Sequence, residues 1–221
     1  MATFRTFRIG YLVLAPLWYN EKKKESSLMK LHYRGKYDLD PNSLPVAEEK
    51  EGAIQFEEAA STQELAKKAN IAAFILLILL LIPIVMLHRL KADSFAFWIG
   101  CLLSLFCALP HELLHALCFK EDVYLYTNLR QGMLFVIGTE PMSKGRFIFL
   151  SLLPNLVFGL VPYLLGLFYP SLSLLLGLGW SSLAMGTGDY INVCHALKQM
   201  PKGALTYMSG FHSYWFMPEQ K

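Results

Sequence analysis

The residues best equipped for chemistry lie in "PHELLHALCF", residues 110–119, where two histidines stand four apart with a glutamate beside the first. On a helix, positions i and i+4 share one face a turn apart, so His111 and His115 can aim their imidazoles at a single cation. Glu112 then sits where it reaches a water at that cation without binding the ion itself. Hydrolytic zinc sites use this spacing for that reason. The competing reading is a polar cluster at a helix end, solvated or bonded to neighbouring helices. Three ionisable groups within five residues of an apolar span are costly without a compensating partner, and a divalent cation provides one.

A catalytic zinc takes three protein ligands and keeps one position open. Asp189, in "GTGDYINV", is the only aspartate in the apolar segments that follow, and is the first candidate for the third ligand. His195 and His212 are rivals. His195 is six residues beyond Asp189 on another helix face, and His212 stands among aromatic residues of the kind that anchor at a membrane surface. His32 and His88 read as structural. Asn155, in "LLPNLVFGL", is a candidate donor to substrate or to a developing oxyanion, with helix packing beside Pro154 as the alternative.

The elements that must position these groups read as membrane helices. Hydrophobic residues make up 54% of the 221, charge is 17%, and most charged residues lie outside two long apolar stretches. That distribution indicates a membrane protein with polar ends. Ser61 and Glu64 form a capping box that opens a helix running into the uncharged segment 71–87, interrupted by Pro83. Three more spans are expected at about 95–119, 147–168 and 171–193. Between the second and third, two β-rich runs flank "NLRQ" and predict a β-hairpin over 123–138.

The fold class is therefore all-α and polytopic, with about four transmembrane helices and a small strand-containing N-terminal region. The expected divisions are 1–60 for that region, 61–200 for the four-helix membrane domain and 201–221 for a C-terminal tail. With the N-terminus inside, eight basic residues near the span ends fall in the cytosol and only Arg89 and Lys91 outside, so both termini are read as cytoplasmic. In that topology His115 and Asp189 reach the same depth, near the cytosolic face. The run "IGYLVLAPLWY" near the start is too short to span and has no cleavage-type small residues after it, and is read as a strand or interfacial segment. The expected location is the plasma membrane of a bacterium, crossed several times.

Other classes fit less well. The net charge of +3 offers no nucleic-acid footprint, and the four cysteines contain no CxxC pair, so they read as buried thiols. A di-iron bundle needs a second ExxH and more carboxylates than this chain carries. A transporter would show repeats or a polar pathway. A zinc-binding scaffold or sensor without catalysis would not need Glu112.

The stretches "LHYRGKY", "PHELLHAL", "LLPNLVFGLVPYLLG", "GTGDYINV" and "MPKGAL", across roughly residues 30–205, resemble a family of membrane zincin peptidases, itself similar to site-2 proteases. The resemblance implies His111 and His115 as zinc ligands, Glu112 as general base and Asp189 as third ligand. It implies a membrane-anchored protein or peptide as substrate. The chain departs from the site-2 pattern in that Asp189 follows a glycine and precedes Tyr190, while prolines and an asparagine sit in the preceding span, at Pro154, Asn155 and Pro162.

Overall fold

The computed structural model describes residues 29–89 and 95–219. The N-terminal apolar segment and Lys91 lie outside them. Helix α1, Thr62–Met86, starts at an N-cap where Ser61 Oγ accepts from Glu64 N at 3.2 Å. The Glu64 carboxylate closes the turn by accepting from Ala60 N, one residue before the cap. From Ile71 onward α1 is apolar, and Phe74, Ile75, Ile78 and Ile82 are about half exposed or more, a surface suited to lipid.

The second apolar stretch is not one straight helix. It breaks into α2, Phe95–Phe106, and α3, Ala108–Leu117, bent by 49° at Cys107. Pro110 has no N–H for the Phe106 carbonyl and its ring crowds that group, so the helix breaks one turn before the proline. The bend redirects His111 and His115 away from the line of α2.

Strands β3, Val123–Asn128, and β4, Met133–Gly138, pair antiparallel. β1, Leu31–Lys36, adds in parallel to β3, giving the order β1-β3-β4 with β4 at an edge. A second sheet, β2-β7-β6-β5, joins Ile54–Gln55, Met142–Ser143 and the C-terminal hairpin Leu205–Ser209/His212–Phe216. Residues beyond 201 thus return to pair with residues before 60.

Helix α4, Lys144–Pro154, passes through a π-helical turn at Asn155–Leu160 into α5, Val161–Phe168, and together they form a second 25-residue apolar helix. The last apolar stretch is also divided, into α6, Ser173–Met185, and α7, Thr187–Gln199, at Gly186. Among the described residues, two helices are therefore long and apolar enough to cross a membrane, or three if α2 and α3 make one broken span, with α6 a shorter apolar helix. Of the four spans expected from hydropathy, the second is bent at Cys107 and the fourth is divided at Gly186.

α6 lies at the centre of the helical layer, apolar all round, as an enclosed helix is. Gly177 lets it approach α2: a Cβ there would lie 1.9 Å from the Phe97 carbonyl oxygen, an overlap only glycine avoids. Ile84, Phe97, Tyr163, Leu167, Leu176 and Leu183 fill this layer. A second core of Phe56, Met142, Phe147, Leu150, Ala196 and Met200 fastens the C-terminal sheet to α4 and α7, beside the polar groups described next.

Candidate metal centre

α3, α7 and the α4–π junction converge on one small polar cluster. His111 Nε2 lies 3.1 Å from Asp189 Oδ2, and His115 Nε2 lies 3.3 Å from Asp189 Oδ1. The two imidazoles stand nearly perpendicular, 4.9 Å apart, on one face of α3. All three ligand atoms fall within 4.8 Å of one another, close enough to hold one metal ion, and this is the one such group among the described residues. Two imidazole nitrogens and a carboxylate oxygen suit zinc and leave a fourth position open.

His195 and His212 stand outside this cluster. His195 lies on α7 along the same cavity as Asp189. His212 Nδ1 is 3.5 Å from Glu58 Oε2, in the C-terminal sheet. His32 pairs with Asp122 at 2.9 Å and stacks on Tyr124, while His88 sits at φ 51° in the turn after α1. The four cysteines are unpaired and contribute nothing to the cluster.

Backbone groups orient the polar side chains. His115 Nδ1 donates to the Leu150 carbonyl at 2.9 Å, which fixes the tautomer that presents Nε2 to Asp189. That carbonyl is free because its helical partner four residues on is Pro154, which has no N–H. The Glu112 carboxylate accepts from Val136 N at 3.1 Å, so the outer edge of β4 faces the glutamate. Ladder hydrogen bonds alternate in an antiparallel pair, so the N–H groups of Leu134 and Gly138 share that outward side.

Asn155 is buried, 3% exposed, and does not face open space. Its amide nitrogen donates to Asp189 Oδ2 at 2.7 Å and to the Ser151 carbonyl at 3.1 Å, and its oxygen accepts from Tyr190 Oη at 3.2 Å. Both sequence-predicted candidates outside α3, Asn155 and Asp189, thus meet the histidines, but Asn155 does so through Asp189. Val136, Leu150 and Tyr190 were not singled out by sequence. Two of the three act through backbone atoms, and the proline four residues after Leu150 is the one trace they leave.

A cavity of about 360 Å³ opens beside the cluster. Glu112, His115 and Asp189 line one end, and the β4 strand, Phe147, Met208 and Phe211 line the rest. Glu140, 4% exposed and also in the cavity wall, accepts from Lys120 N and pairs with Arg146, whose guanidinium also donates to the Cys118 carbonyl. This clamp ties the end of α3, just past His115, to the start of α4.

No curated protein and no solved structure matches the chain. The matched region begins inside α2 and ends at the first residue of β6, so it takes in α3, the β3–β4 pair, the π turn and α7, and leaves out α1. Residues 104–205 match a family described as "Putative zincin peptidase".

Proposed function

We propose that the chain is a membrane-embedded, zinc-dependent endopeptidase that cuts membrane-anchored proteins or peptides. The observation that carries this reading is the meeting of His111, His115 and Asp189 at one end of a cavity that Glu112 also lines. Zinc held by the three would supply Lewis-acid chemistry, lowering the pKa of water and polarising a carbonyl. Glu112 takes the proton of the attacking water and passes it to the leaving amine. The histidines act as neutral ligands through Nε2, and the Leu150 carbonyl holds His115 in the Nδ1–H tautomer that leaves Nε2 free.

The substrate must be extended at the cut, because a helix has no free backbone groups to offer. The outer edge of β4 pairs with such a segment by strand addition and lays it across Glu112. The mostly apolar cavity beside β4 receives its side chains. In this reading α1, α2–α3, α4–α5 and α6 with the start of α7 are four crossings, both termini are cytoplasmic, and the host membrane is a bacterial plasma membrane.

The test is cleavage of a library of membrane-anchored reporters in cells by wild type and by Glu112→Ala. Cleavage that disappears in Glu112→Ala while zinc stays bound supports the peptidase. Zinc without Glu112-dependent cleavage across a broad library would leave a metal-binding scaffold instead.

A further inference from the structure

Pro154, the last residue of α4, and Asn155, the first of the π turn, have no part in the chemistry above, yet both bear on the candidate ligands. We infer that Pro154 and Asn155 are positioning residues for the metal centre: the proline frees the carbonyl that orients His115, and the asparagine holds the Asp189 carboxylate. This rests on the zinc reading and concerns only side chains and carbonyls of this chain.

In an unbroken helix the Leu150 carbonyl would accept from the N–H of residue 154. Proline removes that donor, and His115 Nδ1 takes the place at 2.9 Å. The next residue also leaves the α-helical pattern. Asn155 N turns to the Leu152 carbonyl, three residues back, and a π turn follows, a local irregularity often found at functional sites. That turn brings the Asn155 side chain to Asp189 Oδ2 at 2.7 Å.

The asparagine is fixed from three sides. Ser151 O and Asp189 take its amide nitrogen, and Tyr190 Oη donates to its oxygen. On the fourth side is Gly186, where a Cβ would lie 1.6 Å from Asn155 Oδ1. Asn155 thus occupies one lone pair of Oδ2, the oxygen 3.1 Å from His111 Nε2, and leaves Oδ1, 3.3 Å from His115 Nε2, without a bond from the asparagine. Asn155 therefore favours binding through one oxygen, which keeps the protein ligand count at three and the fourth position open. A helix break kept only for packing would not join both ligand-bearing helices, α3 and α7, to the same two residues.

The experiment uses the full chain in detergent, stripped of metal and titrated with zinc against a competing chelator, alongside the visible spectrum with cobalt and the melting of the metal-free protein. Pro154→Ala and Asn155→Leu are each expected to weaken zinc binding about 10–100-fold, the usual cost of losing an outer hydrogen bond to a ligand. Pro154→Ala should meanwhile melt at the same or a higher temperature, since alanine restores the helical hydrogen bond. A cobalt spectrum in Asn155→Leu that shifts towards higher coordination supports the one-oxygen role. Tyr190→Phe, which deletes one hydroxyl, should weaken zinc less than tenfold and gives a readout should Asn155→Leu not fold. Wild-type affinity in Pro154→Ala overturns the proline's part, and wild-type affinity in both Asn155→Leu and Tyr190→Phe overturns the asparagine's. A wild type that binds no zinc at all would remove the metal reading itself, a separate and visible outcome.

Discussion

Helix α1 and the α4–α5 segment are alike in sequence terms: each runs 25 residues, each is strongly apolar, and each carries a proline four residues after a leucine. Their fates differ. Pro83 in α1 loosens a turn that is exposed on one side and meets α5 and α6 on the other. The groups reaching α1 are aromatic anchors, Tyr163 Oη on the Leu80 carbonyl at 2.7 Å and Trp180 Nε1 on the Leu77 carbonyl at 3.1 Å. Pro154 loosens a turn buried against α3 and α7, and the groups reaching it are an imidazole and, one residue on, a carboxylate. Pro83 bares the Leu79 carbonyl, while the aromatic groups reach Leu77 and Leu80 beside it; at Pro154 the bared carbonyl is itself the one that a side chain from a neighbouring helix takes.

Substitutions at the cluster break this comparison most strongly. Glu112→Gln should lower cleavage by about 10²–10⁴-fold with zinc retained, measured as reporter turnover beside metal content. His115→Ala should lose both, because an imidazole ligand and its Leu150 hydrogen bond go together. The prolines sharpen the contrast directly. Pro83→Ala should leave zinc affinity within about twofold of wild type, whereas the same change at Pro154 should weaken it by ten or more, in the same chelator titration.

Packing changes are expected to be smaller. Gly177→Ala forces a Cβ into the Phe97 backbone and should destabilise the α2–α6 contact by about 1–3 kcal/mol, read from unfolding in detergent with denaturant. Ser61→Ala should cost about 0.5–2 kcal/mol by removing the cap of α1, without altering zinc affinity.

What the sequence showed and what it hid divide along physical lines. The His111–Glu112–His115 spacing is a side-chain pattern with a fixed helical geometry, and Asp189 was reachable by matching depths along two apolar segments. Helix α1 and its cap are local as well, written in Ser61, Glu64 and the run after them. A kink at Pro110 is readable from its missing N–H, whereas the division at Gly186 is hidden because hydropathy continues across it. Only packing decides whether such residues kink a helix or end it.

The pairing of β2 with β7 joins residues some 160 positions apart, and no local pattern announces it. The hairpin at 205–216 did leave a signal in the alternation of "LTYMSGFHSYWF" around Gly210, whose φ of 60° suits the turn. It was read as an anchoring tail because its aromatic residues fit that role too. Asn155 reads from the sequence as a donor to substrate or to an oxyanion; in the structure its amide meets Asp189, and a hydrogen bond between side chains on separate helices has no sequence spacing.

The most direct test of the account is the zinc content of the purified full chain after metal loading and removal of excess, compared with the His111→Ala/His115→Ala variant. The account predicts about one zinc per wild-type chain and none in the double variant. Equal zinc in both, or none in a folded wild type, would contradict it.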